Sequence, residues 1–146
     1  HRLVGRFRAP TPPTRVLLVE DDVIQRDRIR GWLEGQQWIV QEAANGREAL
    51  ACLQEKKPDV ILLDLMMPEM DGFAVVSALQ KSVEWRHIPV IVIPARDLNA
   101  TERERLNSGV QSVLVKETFR PADLVERIRR LVRPNPTAGE EMEAAS

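Results

Sequence analysis

The stretch Asp59-Val60-Ile61-Leu62-Leu63-Asp64-Leu65-Met66-Met67-Pro68-Glu69-Met70-Asp71-Gly72 sets the fold class of this 146-residue chain. Four consecutive apolar residues, Val60 to Leu63, end in one carboxylate, Asp64, and Pro68 and Gly72 then force the backbone to turn. A run this short, rich in branched side chains and bounded by turn signals, predicts a strand buried on both faces. Asp64 then stands at the carboxyl end of a central strand. In open parallel sheets ligands bind outside those ends, where the loops frame a crevice that the flanking helices leave open.

Working outward, residues 15–20 hold a second apolar run, Val16-Leu17-Leu18-Val19, again ending in acid. Residues 23–36 follow with Ile29, Trp32 and Leu33 at helical spacing. Residues 38–43 are β-prone but include Gln41 and Glu42, as an edge strand does, and Asn45-Gly46 marks a turn into a helix with Ala49, Leu50 and Leu53 inward. On the other side, Phe73, Val76 and Leu79 share one face of a third helix, and residues 89–94 supply the run Val90 to Ile93. Thr101-Glu102-Arg103-Glu104 reads as a capping box opening a fourth helix that Gly109 can close. Residues 112–116 form a fifth strand, and residues 120–132 place Leu124, Ile128 and Leu131 on one face of a last helix. Strands alternating with helices in this way predict right-handed βαβ units and an α/β fold, a five-stranded parallel sheet flanked by five helices on its two faces. The fourth helix is nearly all charged or polar, so it is expected to be a solvated surface element, with a movable or partner-facing role as the second reading.

Charge and composition narrow the function. With 21 basic and 22 acidic residues the chain carries no stripe of one sign, so neither nucleic acid nor an anionic membrane surface is implied as a partner. No stretch approaches the roughly eighteen apolar residues a membrane span needs. The single cysteine, Cys52, cannot form an internal disulfide and reads as a small, partly buried hydrophobe; a reducing, cytoplasmic setting is the expectation. His1 in place of Met suggests a piece of a longer chain. Residues 1–14, with Arg2, Arg6, Arg8, Pro10, Pro12 and Pro13, read as an extended linker, residues 15–133 as one domain, and residues 134–146 as a disordered tail. The sequence sets no oligomeric state.

The chemistry lies in what gathers at the carboxyl ends of the strands: Glu20, Asp21 and Asp22 after the first, Asp64 after the third, Pro94 and Ala95 after the fourth, and Lys116 at the fifth. If the first and third strands are neighbours, at least three carboxylates share one small pocket and repel one another, unless protons or a hard divalent cation sit among them. Oxygen ligands without His or Cys favour magnesium or manganese. Lys116 adds a point positive charge for an anion's oxygen. Together these describe a pocket for a phosphoryl group with a carboxylate as potential nucleophile. Singly, each has a plainer explanation. Asp21 or Asp22 before a helix is more often an N-cap, Glu20 a surface charge, Lys116 a solvated lysine, and Asp71-Gly72 a turn and helix cap. The joint occurrence outweighs these. There is no Gly-rich phosphate loop, so the chain is expected to accept phosphate rather than draw it from ATP.

From about residue 15 to 132 the chain resembles the receiver domain of two-component response regulators. Leu17-Leu18-Val19-Glu20-Asp21-Asp22 is similar to its acidic motif, Asp64 through Gly72 to its phosphoacceptor strand and loop, and Val115-Lys116 to its lysine motif. The intervals from Asp21 to Asp64 and from Asp64 to Lys116 also fit. The resemblance implies a flavodoxin-like sheet in the order 2-1-3-4-5 and a phosphoryl transfer from phosphohistidine onto Asp64. Magnesium would be held by Asp21, Asp64 and the carbonyl of Met66, with Glu20 acting through water. Lys116 and the backbone N–H groups of Met66 and Ala95 would meet the phosphoryl oxygens.

Three departures from the family pattern bear on output. Pro94 stands where the family usually has Thr or Ser, and offers neither a hydroxyl nor a backbone donor. Val113 stands where a switching Tyr or Phe is usual. Glu117 replaces the usual proline, so a cis bond there is not expected, since outside proline it costs about 3 kcal/mol. The resemblance also suggests that positions 66 and 96 tune hydrolysis, and an apolar Met66 predicts a long-lived phosphoryl group. The expected partner is a histidine kinase core or a histidine-phosphotransfer protein, with attachment to a hybrid histidine kinase as the setting. A degenerate receiver that docks partners without phosphorylation is the alternative.

Overall fold

A computed structural model describes residues 13–65, 72–94, 98–106, 110, 112–115 and 120–132. Strand β3 (Val60–Leu63) lies at its centre, and all four of its side chains are shut from water. Removing side chains of this size from water contributes about 1.5–3 kcal/mol each, which is why so short an apolar run suffices to place a strand. Around it alternate β1 (Arg15–Val19), α1 (Val23–Glu34), β2 (Ile39–Ala43), α2 (Gly46–Glu55), α3 (Gly72–Gln80), β4 (Val90–Val92), α4 (Ala100–Arg105), β5 (Ser112–Val113) and α5 (Pro121–Val132).

The strands pair in parallel in the order β2-β1-β3-β4-β5. β1, β2, β3 and β4 form the body of the sheet, and β5 adds only a two-residue pairing at its edge. Of the strand expected over residues 112–116, Ser112–Val113 is paired, Leu114 and Val115 are not in the strand, and Lys116 lies outside the described residues. The pairing joins Ile91 to Ser112 and Val92 to Val113, and the Leu114 N–H donates to the Val92 carbonyl oxygen at 2.9 Å.

Side-chain alternation divides the core in two. Leu17, Val19, Ile61, Leu63, Val90 and Val92 pack with Ala49 and Leu53 of α2 and with Phe73, Val76 and Leu79 of α3. Val16, Leu18, Val60, Leu62, Ile91 and Ile93 pack instead with Ile29 and Leu33 of α1 and with Leu124 and Ile128 of α5. This is the period of two along each strand and the helical period along each helix, meeting on both faces of the sheet.

The ends of the strands are level. Ala43, Val19, Leu63, Val92 and Val113 occupy one row across the sheet. Backbone hydrogen bonding continues one step beyond it, from Glu20 N–H to Ala43 O at 3.0 Å, Asp64 N–H to Val19 O at 2.9 Å and Ile93 N–H to Leu63 O at 2.9 Å. Glu20 and Asp64 therefore lie at the same height on adjacent strands.

Two local expectations change. The capping box of α4 is Asn99 with Glu102, not Thr101 with Glu104: the Asn99 Oδ1 accepts the Glu102 N–H at 2.8 Å and the Glu102 Oε1 accepts the Asn99 N–H at 2.9 Å. The carboxamide of Asn99 reaches the third residue of a helix that begins earlier than expected, and the helix ends at Arg105 with Leu106 as its C-cap, Gly109 lying outside the described residues. Thr14, read as linker, has its carbonyl bonded by Ile39 N–H at 2.9 Å, so the ladder between the first two strands begins one residue early. As expected, α4 buries none of its own residues; the buried apolar side chains beside it are Leu98 and Leu106, just beyond its two ends. No helix among the described residues is long and apolar enough to cross a membrane.

Candidate functional site

The level strand ends bring Glu20, Asp21 and Asp64 together, with one carboxylate oxygen from each lying within 4.8 Å of the others. Glu20 and Asp64 are each 2 % exposed, whereas Asp21 faces solvent. Burial at this level is unusual for carboxylates without compensation, and here the backbone supplies part of it. The Glu20 Oε2 accepts the Asp22 N–H at 3.2 Å, and the main chain of both residues is tied into the sheet ladder. Three acids so close repel one another when ionised, and an oxygen-only cluster of mixed buried and exposed carboxylates fits the needs of a small hard cation. Asp22 takes the plainer of its two readings: its Oδ1 accepts the N–H groups of Ile24 at 2.9 Å and Gln25 at 3.4 Å and caps α1.

Gly72 takes a more specific part than a turn residue. Its N–H donates to Leu65 O at 3.1 Å. A Cβ built on it would stand 2.7 Å from the Asp64 carbonyl oxygen and 2.7 Å from the Leu65 Cα. The first residue of α3 thus lies directly on the backbone of Asp64, an approach only glycine permits. Asp71, Met66, Ala95, Arg96, Lys116 and Glu117 lie outside the described residues.

Of the two positions expected from the resemblance to be switch positions, Pro94 is buried just beyond Ile93, and Val113 is half-buried at the end of β5. Val113 lines a cleft of about 300 Å³ with Leu98, Arg103, Leu106 and Val110, between α4 and the sheet edge. Arg105 of α4 stacks over the Phe73 ring of α3 at 4.1 Å.

Cys52 is half-buried, its Sγ 3.9 Å from the Glu42 carbonyl oxygen. Burial, then the charges of Glu55 and Glu48, push its thiol up, so it stays protonated and unreactive at neutral pH. Glu42, read from sequence only as edge-strand polarity, meets two arginines of α1. Arg26 Nε is 3.3 Å from its Oε1, and Arg30 binds its other oxygen. The signal for this was the placement of Arg26 and Arg30 one helical turn apart, on one face of α1.

Residues 16–129 match the family described as the response regulator receiver domain. The response regulator MprA of Mycolicibacterium vanbaalenii is 35 % identical over 131 residues, 88 % of this chain and 55 % of that protein. The transcriptional regulatory protein ResD of Bacillus subtilis is 35 % identical over 123 residues, 84 % of this chain and 50 % of that protein. The chain thus spans about half the length of the curated relatives it matches. Among solved structures, the signal receiver domain of a signal transduction histidine kinase from Syntrophus aciditrophicus superposes with a TM-score of 0.74 at 31 % identity, covering 82 % of this chain and 89 % of that one. The receiver domain of a sensor histidine kinase from Pseudomonas aeruginosa, with a magnesium ion coordinated in its active-site cleft, superposes with a TM-score of 0.76 at 25 % identity, covering 84 % and 100 %. An acid-tipped parallel sheet with β1 between β2 and β3, matched along most of its length by receiver sequences and receiver structures, places the chain in the response regulator receiver domain family.

Proposed function

We propose that the chain is a working phosphoacceptor, in which Asp64 takes a phosphoryl group from a phosphohistidine on a histidine kinase core or a histidine-phosphotransfer protein. The observation that carries this is the meeting of Glu20, Asp21 and Asp64 within 4.8 Å on adjacent, level strands. Asp21, Asp64 and the carbonyl of Met66 would hold Mg²⁺ or Mn²⁺, with Glu20 acting through water; when bound, the cation neutralises charge on the phosphoryl oxygens. A carboxylate oxygen of Asp64 bonds to phosphorus as the P–N bond breaks. The electron pair stays on the imidazole nitrogen, which takes its proton from solvent. Lys116 and the N–H groups of Met66 and Ala95 are the proposed contacts to the phosphoryl oxygens.

The output differs from that of an ordinary receiver. Pro94 has no hydroxyl or N–H to hold a phosphoryl oxygen, and Val113 has no ring to reorient, so the signal leaves by another route. Attachment to a hybrid histidine kinase in the cytoplasm is the proposed setting, favoured by the receivers of histidine kinases among the similar structures. The second reading, a receiver that docks partners without being phosphorylated, is motivated by Pro94.

Intact-protein mass after incubation with acetyl phosphate and Mg²⁺ tests the proposal, beside Asp64→Asn and a chelated control. One added phosphoryl group, absent from both controls and slow to decay as the apolar Met66 suggests, is the expected result. No adduct under conditions that modify an ordinary receiver would pass the lead to docking.

A further inference from the structure

Every polar group of the Glu20 main chain, and one oxygen of its carboxylate, is held by a named partner. The N–H donates to Ala43 O at 3.0 Å, the Oε2 accepts the Asp22 N–H at 3.2 Å, and the carbonyl oxygen accepts from Arg26 Nη1 at 2.8 Å. That carbonyl belongs to the peptide group joining Glu20 to Asp21. Because the group is planar, fixing its oxygen fixes the direction in which the chain leaves Glu20 and in which Asp21 is offered to the pocket.

Arg26 is itself held in place. Its backbone N–H continues α1 onto Asp22 O at 2.9 Å, and its Nε lies 3.3 Å from the Glu42 Oε1. The Nε is shut from solvent and makes no well-formed hydrogen bond among the described residues, so the charge of Glu42 compensates it. The other oxygen of Glu42 accepts from Arg30, which also meets Asp27 at 3.1 Å and Glu34 at 3.9 Å. The network thus runs from the exposed side of α1, through the edge strand β2, to the peptide between two of the three clustered acids.

The geometry points to Arg26 as a positioning residue for the acidic pocket, held by Glu42 and acting through the peptide between Glu20 and Asp21. This rests on the phosphoacceptor reading, in which that pocket takes a divalent cation. Arg26 touches no reacting atom in this role. It keeps Glu20 and Asp21 oriented before the cation arrives, and residues that orient metal ligands commonly change metal affinity about tenfold or more when removed.

Mn²⁺ titration of the unphosphorylated protein by calorimetry separates the possibilities, with thermal unfolding of each variant as a folding control. Arg26→Ala is expected to weaken Mn²⁺ binding about tenfold, Arg26→Lys to recover part of the loss, and Glu42→Gln to weaken binding by a smaller factor. Leu33→Ala, which removes a fully buried side chain from the same helix, is expected to leave the affinity unchanged while lowering the melting temperature. Unchanged affinity in both Arg26→Ala and Glu42→Gln would overturn the role, as would an equal loss in Leu33→Ala, which would mean that helix stability alone is responsible. If Arg26→Ala does not fold, Glu42→Gln and Arg26→Lys carry the test. Absence of Mn²⁺ binding by the wild-type protein would overturn the metal pocket itself, an outcome distinct from a bound cation indifferent to Arg26.

Discussion

The two sides of the crevice at the carboxyl ends of the strands are built differently. On one side, β1 and β3 bury almost every side chain and end in Glu20 and Asp64, both tied into the ladder and nearly inaccessible. On the other, β5 pairs through two residues, α4 buries none of its own, and the cleft between them is lined by Val113 and Leu98. The comparison teaches that the acid cluster proposed as the phosphoacceptor stands on the deeply buried strands, while the region around α4 and β5 is held by far less buried area. On the phosphoacceptor reading Asp64 must be held in one place, and deep burial does that. An element with little buried area, such as α4, is the easier one to move.

The contrast predicts a steep gradient of mutational cost. Leu62→Ala, in the centre of β3 and fully buried, is expected to cost about 4 kcal/mol in urea unfolding; a cost below that of any α4 substitution would erase the distinction. Gly72→Ala sharpens it at the site. A methyl group 2.7 Å from the Asp64 carbonyl oxygen must displace backbone, at a cost of about 3 kcal/mol, and because the atoms displaced belong to Asp64, Mn²⁺ binding should weaken in the same variant. Stability lost with affinity intact would mean that α3 gives way instead. The smallest effect belongs to the far side. Asn99→Ala removes the side chain that caps α4 and is expected to cost about 1 kcal/mol, read as faster amide exchange confined to α4, with Mn²⁺ affinity unchanged. Exchange that also quickens in β3 would show the two regions to be one cooperative unit.

Much of the molecule was legible before any coordinates. The run Val60 to Leu63 could be read as a doubly buried strand because continuous branched apolar residues have few other uses at that length. Asp22 was legible as a cap from its place before a helix, and α4 as a solvated element from its lack of apolar residues. The misreadings share a cause. Thr101 and Asn99 are both competent caps, and only the start of the helix chooses between them. Arg26, Glu42 and the close approach of Gly72 were missed because each acts on a residue distant in the chain or on backbone atoms, which side-chain pattern does not report.

The sequence by itself determined the alternation of strands and helices, the depth of the central strands and the presence of acids at their carboxyl ends, since hydrophobic period and turn chemistry are local properties. That β1 lies beside β3 was expected only through the family resemblance, and tertiary structure decided that their ends are level, which brings Glu20, Asp21 and Asp64 within 4.8 Å, and that Arg26 reaches the peptide between the first two. Strand order and register arise from packing and hydrogen bonding between segments far apart in the chain, and it is their register that turns separate carboxylates into one site.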